Sequence, residues 1–432
     1  MAEAPNKKRM IANARLRKSR ERTSRLIKLF LFFICIALAF GLGFALRGNT
    51  NLLATLGFSQ NITGEKPAAP NTPSTSKKDA FNSLSIRISE IEDVLASDSM
   101  DTYDSGEATT AALDAFSQAT DDPYLRFYSQ ERYEALLNTQ NEGYAGVGVL
   151  FSEYNGQAYV VDVFEGAPAQ LEGVQEGDFV VSIDGDRSQS WARNEVTATL
   201  AQHNGSTVVI TWRRPETLTA EGGEEFTTTL QCAEYDEPNV VTELVDGVGY
   251  IKIRQFTQNA GSLVSQAMAS LEAEDAKAYV LDLRDNPGGY LNQAVAVASQ
   301  FMSSGTIVEI RTKDGDAAKP ATGRVANEKP LVVIVNKNTA AAAEVVAAAL
   351  EESQRASLVG NTTLGKGSVQ VLHELSFGGA LRYTAALYLT PQGHAIDKVG
   401  VRPDVVVDNV PGSSEDTQKS YAIGMAASYI TE

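Results

Sequence analysis

The stretch "PLVVIVNKNTAAAAEVVAAAL", Pro330 to Leu350, reads as strand, turn and helix. Leu331 to Val335 are apolar without alternation, the pattern of a strand buried on both faces. Asn336 to Thr339 supply turn chemistry, and the alanine-rich run beyond them is strongly helix-forming. A sharp strand-to-helix turn lifts one side chain above the sheet and aims the free N–H groups of the new helix at it, an arrangement suited to a nucleophile and its oxyanion. In this chain the raised side chain is a methyl group.

The same alternation continues on both sides. Strands are expected at "VGYIKI" (248–253), "AYVLDLR" (278–284) and "ASLVG" (356–360), with helices at "AGSLVSQAMASLEAE" (260–274) and "LNQAVAVASQFM" (291–302) between them. Such an order argues for a parallel-rich sheet with helices on its faces. Upstream the texture changes to short alternating strands with glycine turns: "GYAGVGVLFSEYNGQAYVVDVF", "GDFVVSIDGD", "STVVITWRR" and "EFTTTLQC". One helix, about Trp191 to Gln202, lies among them, and together they form a β-rich domain of roughly 90 residues. No internal repeat is present.

The amino-terminal part is of another kind. Leu29 to Leu46 carries no charge and is long enough to cross a bilayer as a helix. Residues 1–28 hold ten Lys and Arg against two Asp and Glu, which keeps that end cytoplasmic and places the rest outside the cell membrane. Residues 47–79 have the Pro, Ser, Thr and Ala content of a solvated tether. Leu84, Ile88, Ile91 and Leu95 then mark an amphipathic helix, for core packing or a dimer seam. The helical pattern continues through residue 137, with a break near Asp122-Pro123.

Charge and scarce residues exclude several classes. The chain has 432 residues and a net charge of −17; beyond residue 28 the balance is −25, which disfavours nucleic acid. The basic tail suits anionic lipid instead. Cys35 lies inside the apolar run and Cys232 far from it, so no intramolecular disulfide is expected. His203, His373 and His394 are the only histidines and none pairs with another at ligand spacing, so no metal or other cofactor is expected.

Three further motifs carry candidate chemistry. "GYAGVGVLF" places Gly146 and Gly148 where successive backbone N–H groups can point at a terminal carboxylate, and Val149 and Phe151 begin a strand edge that a peptide can extend. It precedes G-x-P-A-x-x-x-G-x-x-x-G-D, Gly166 to Asp178, and the pair resembles the PDZ domains of bacterial proteases. In "YVLDLRDNPGGYLNQAV" the glycines sit just past the carboxyl end of a strand, either as a plain turn or as an oxyanion donor. "GNTTLGKGSVQVLHEL" fits G-x-x-x-x-G-K, but Gly367 stands where a phosphate loop needs a hydroxyl and a strand follows, so nucleotide binding is rejected. Lys366, flanked by Gly365 and Gly367, is either a solvated charge or a buried amine whose pKa falls until it can act as a base. Ser368 and Gln370 share its strand face, and the Gln370 amide is placed to hold that amine.

From about residue 80 to 410 the chain resembles the carboxy-terminal processing proteases, tail-specific serine peptidases of bacteria and chloroplasts. The motifs that carry the resemblance are "DDPY" (Asp121–Tyr124), the PDZ segment, "LDLRDNPGG", the opening turn, "GKGSVQ" and "YLTPQGHAIDKVGVRPDVVV" (388–407). It implies an α/β multidomain fold: basic tail 1–28, transmembrane helix 29–46, linker 47–79, helical region 80–140, PDZ domain 141–233, protease core of ClpP/crotonase-like character 234–410 and tail 411–432. With Glu344 as the closing glutamate of the family's S-A-S-A-S-E pattern, the nucleophile position falls on Ala341. Lys366 becomes the base and Gln370 its support, while Ala342 and Gly288 become oxyanion donors and Gly146, Val147, Gly148 and Val149 the peptide-binding loop.

As written, the chain lacks the attacking oxygen. Thr339 and Ser368 are its nearest hydroxyls in the motifs, and both are expected to lie too far from the oxyanion donors to substitute. Ala341 is then an engineered replacement of serine, favoured because the rest of the machinery is intact, or the mark of a natural pseudoprotease acting as a peptide-binding adaptor or regulator. Expected partners are substrate C-termini, the membrane and an activating adaptor protein, and the helical region and tail leave room for homo-oligomers.

Overall fold

The computed structural model describes residues 83–138, 145–235, 238–323, 327–409 and 415–430. The basic tail, the apolar run 29–46 and the tether lie outside the described residues. Among those described, no helix is long and apolar enough to cross a membrane.

The chain divides into two compact units, Met1–Tyr103 and Asp104–Glu432. Helix α1 (Leu84–Asp98) belongs to the first. Its stripe Leu84, Ile88, Ile91 and Leu95 is exposed, so core packing is not what the described residues give it. The second unit opens with α2 (Ser105–Gln118), capped by Asp104, whose carboxylate accepts from the N–H groups of Gly106 and Glu107. The expected helical run is then interrupted by β1 (Arg126–Tyr128) before α3 (Gln130–Asn138). Tertiary pairing explains the interruption: β1 adds antiparallel to a later strand and buries Phe127 and Tyr128.

The β-rich domain follows. Its elements are β2 (Ala145–Gly146), β3 (Val149–Tyr154), β4 (Gln157–Val163), α4 (Pro168–Leu171), β5 (Phe179–Ile183), α5 (Arg193–Gln202), β6 (Thr207–Arg214), β7 (Glu224–Gln231) and β8 (Ala233–Glu234). The antiparallel sheet runs β3-β4-β5-β6-β7, leaving β3 at its edge, and β2 pairs with β8. Alternate residues of these strands bury Phe151, Val160, Val180, Ile210 and Trp212 against Val196 and Leu200 of α5. Each such side chain contributes about 1.5–3 kcal/mol on leaving water.

The remainder builds the α/β core from β9 (Val240–Val245), β10 (Val248–Ile253), α6 (Ala260–Ala273), β11 (Ala278–Asp282), α7 (Leu291–Ala298), β12 (Thr306–Thr312), β13 (Gly315–Pro320), β14 (Leu331–Val335), α8 (Ala342–Glu352), β15 (Ser357–Gly360), β16 (Ser368–Glu374), β17 (Ala380–Leu389), β18 (Val405–Val406) and α9 (Thr417–Ser428). The six-stranded sheet has the order β18-β15-β14-β11-β10-β9 and is parallel except for β9. Leu331, Val333 and Val335 of β14 face α6, α7 and α8, whereas Val332 and Ile334 face α9. The unbroken apolar run read in the sequence is thus a central strand covered on both sides. A second, antiparallel sheet joins β1, β17, β12 and β13, with β16 on the other side of β17. Together these sheets bring the end of β14 and the start of β16 to one cleft.

Candidate active site

The turn after β14 is fixed by side-chain hydrogen bonds. Asn336 Oδ1 accepts from the N–H groups of Asp285, Asn338 and Thr339, at 3.1 Å each. Thr339 is fully buried and donates its hydroxyl to Leu283 O at 2.8 Å, so that oxygen is held beneath the turn and away from any substrate. Ala341 then takes φ 51° and ψ −114°, a left-handed conformation that a non-glycine residue holds only where its surroundings impose it. It is half-buried and caps α8. The N–H of Ala342, in the first helical turn, is outside the helix ladder.

Small residues are required here because the turn Asn286–Gly289 lies directly against it. A Cβ added to Gly288, at φ +89°, would stand 2.9 Å from Ala341 Cβ and 3.0 Å from Ala342 N. Gly288 is therefore beside Ala341, but its N–H donates to Asn286 Oδ1 at 2.9 Å. Its carbonyl accepts from Phe256 N, and Ala340 N donates to Asn286 O, both at 2.9 Å.

Lys366 approaches from the strand side. Gly365 and Gly367 let the backbone press on residues 397–400, since a Cβ at Gly367 would lie 2.3 Å from Asp397 N. Burial pushes the Lys366 amine down to about 8, with Arg193 and Arg382 adding to the effect and Glu153 opposing it. Its Nζ lies 3.5 Å from Glu153 Oε2 and 5.4 Å from the centre of the Tyr124 ring. Gln370 does not hold this amine: its Nε2 donates to Ser368 Oγ at 2.9 Å. Ala341, Ala342, Gly289, Lys366, Ser368 and Gln370 all line one cleft of about 280 Å³. A neighbouring cavity of about 630 Å³ opens on the other side of Lys366, towards Tyr124 and Glu153.

Two acidic residues complete the site. Glu344, which the sequence offered only as a place marker, is fully buried and takes four hydrogen bonds. Its Oε2 accepts from Ala341 N and Lys366 N at 2.8 Å each; its Oε1 accepts from Gly365 N at 2.7 Å and from the Thr363 hydroxyl. One carboxylate therefore joins the Ala341 turn to the Lys366 loop. Burial pushes it up to about 7 against the pull of those donors. Glu153, on β3, is buried too; burial raises it, but Arg382, 2.9 Å away, and Lys366 hold it well below the usual carboxylate range. Nothing in "FSEYNG" announced this contact, which exists only because the β-rich domain packs on the core. Glu176 makes a second such contact, accepting from Asn338 Nδ2 at 2.6 Å.

In the loop expected to bind peptide, Val147 and Val149 are fully buried and Gly148 takes φ +81°. The carbonyls of Val147 and Gly148 accept from Ala169 and Phe164 N–H groups, which pins the loop beside β3, the end strand of its sheet.

Comparison with known proteins decides the family. Residues 247–407 match the model for peptidase family S41 and residues 145–230 that for the PDZ domain. A carboxyl-terminal-processing protease of Synechocystis sp. is 36% identical over 312 residues, covering 70% of this chain and 71% of the relative. The chain belongs to the carboxyl-terminal-processing protease family. Carboxy-terminal processing protease CtpA of Bacillus subtilis is 30% identical over 409 residues, covering 93% and 82% of the two chains. The solved photosystem II D1 C-terminal processing protease superposes with a TM-score of 0.60 at 28% identity, covering 77% of this chain and 88% of its own. The chain is thus a serine carboxyl-terminal-processing peptidase by family, with a PDZ domain and an S41 core.

Proposed function

We propose that this protein is a membrane-anchored, extracytoplasmic endopeptidase scaffold that captures substrate C-termini through its PDZ loop and presents them to a Ser/Lys/Gln site lacking its serine. The observation that carries the reading is the shared cleft: a strained turn residue, a first-turn N–H and a buried lysine with a depressed pKa face one space. Ala341 occupies the nucleophile position, Lys366 is the base, Gln370 its support once the amide leaves Ser368, and Ala342 N–H one oxyanion donor. Gly288 supplies the second once its N–H leaves Asn286. The span at 29–46 and the basic tail support a single-pass anchor with a cytoplasmic N-terminus.

The PDZ domain also gates the site in this reading. Glu153 lies on β3, the edge strand on which a captured peptide would be laid, and it holds Lys366 away from base duty. A shift of β3 releases the amine. Capture itself depends on a charged acceptor at Gly146–Gly148, so amidating the C-terminus of a PDZ-binding peptide weakens its affinity by roughly tenfold or more. Equal affinity by anisotropy for acid and amide would remove the loop from this role.

Turnover by the Ala341→Ser protein tests the chemistry. Lys366 must be neutral to take the serine proton, so kcat/KM rises with pH through an apparent pKa of about 8. No rise between about pH 7 and pH 9 would exclude Lys366 as that base. The second reading, a pseudoprotease adaptor or regulator, stands if the native gene encodes alanine at 341 and the serine protein is inert.

A further inference from the structure

β16 carries Ser368 and Gln370 past the nucleophile turn, and among the described residues its outer edge has no partner strand. Among the described residues the sheet gives β16 one neighbour, β17. Gly367 O accepts from Tyr388 N at 2.7 Å, and Leu375 N donates to Gly379 O at 3.0 Å. Odd-numbered residues at both ends of β16 therefore turn their backbone groups towards β17. In an antiparallel ladder the direction alternates, so Ser368, Gln370 and Leu372 turn their N–H and C=O groups outwards. The irregularity between Val369 and Gln370 leaves that alternation intact, because the extra residue is on β17, between Thr384 and Ala386.

The cleft follows this edge. Val369, Gln370, Val371 and Leu372 all line it, although neighbouring side chains of a strand point to opposite faces. A single space touching all four must run along the rim of the strand. Across it stand Pro287, Gly289, Ala341 and Ala342. The gap thus has an unpaired strand edge on one wall and the nucleophile turn on the other.

We infer that the substrate segment around the scissile bond binds as an added β-strand on the outer edge of β16, hydrogen-bonded to the main chain of Ser368, Gln370 and Leu372. The occupant is an unfolded, extended polypeptide. Its recognition rests on backbone groups spaced two residues apart, with Val371 and Leu372, 37% and 36% exposed, offering unselective apolar contact. Sequence tolerance near the cut follows from this, whereas the PDZ loop reads the terminus. The inference rests on the cleft reading proposed above, but it concerns binding and does not need the missing oxygen.

The test uses the full chain with Ala341 in place and a fluorescein-labelled, C-terminally amidated casein peptide of about 20 residues, amidated to keep it off the PDZ loop. Leu372→Pro removes one outward N–H and leaves the β16–β17 ladder whole, since proline is tolerated where a strand N–H faces away from its partner. The expected result is a Kd raised about tenfold or more with an unchanged melting temperature, and a smaller loss for Leu372→Ala. Val371→Pro, which breaks the ladder, lowers the melting temperature. Equal Kd for parent and Leu372→Pro, or no saturable binding to the parent, overturns the inference. Unfolding by Leu372→Pro overturns it as well, because Leu372 N–H would then belong to the ladder. Failure of Ala341→Ser to cleave would instead strike the proposed chemistry and leave these binding outcomes standing.

Discussion

Placing serine at position 341 switches on cleavage of unfolded protein substrates, and Lys366→Ala in that protein switches it off again. The backbone at 341 already holds φ 51° and ψ −114°, so the serine Oγ replaces a methyl hydrogen without rebuilding the turn. Ala341 is half-buried on the cleft, which leaves room for one oxygen beside Ala342 N–H and Lys366. Nucleophile and base act as one unit, so losing either removes about 10⁴-fold or more of the rate. The parent and the Lys366→Ala form should therefore share one baseline in a gel-based assay with β-casein. Peptide affinity should change little between them. A folded serine protein with no activity would defeat the protease reading, and joint loss of turnover and binding in Lys366→Ala would make the lysine structural.

The frame of this site was legible because local patterns coincide with tertiary roles. Leu331–Val335 is apolar without alternation because both faces of β14 are covered, and the paired glycines around Lys366 are there because residues 397–400 press on them. Where a contact depends on distant packing, the residues gave less. Gln370 lies on β16, the same strand as Ser368, and its amide reaches that hydroxyl, while Glu153 from the β-rich domain lies 3.5 Å from the lysine amine. The resemblance makes Gly288 an oxyanion donor, whereas its N–H closes an Asx-turn on Asn286 Oδ1, the ordinary turn chemistry of Asn-Pro-Gly. The residues of β1 carry the pattern of a helical run, and only their pairing with β17 makes them a strand.

Glu344 gives the second large effect. Both of its oxygens accept two hydrogen bonds, from donors on the nucleophile turn and on the loop that carries Lys366. Glutamine keeps the shape but turns an NH₂ group either towards Ala341 and Lys366 N–H or towards Gly365 N–H and the Thr363 hydroxyl, leaving at least one N–H buried and unpaired at about 1–3 kcal/mol. In the Ala341→Ser protein, Glu344→Gln should lower kcat by about 100-fold or more while KM changes little, because the turn and the lysine lose their common tie. Urea unfolding should show the lost stability directly. The pH dependence supplies a readout that simple misfolding would not give. Burial raises the folded-state pKa of Glu344 from 4.5 to about 7, so its contribution to stability is full below about 4.5 and is lost as pH rises from there to about 7. That fall, present in the parent, should be absent from Glu344→Gln. A folded glutamine protein with the parental kcat and the parental pH slope would show that the tie between turn and lysine has no part in catalysis.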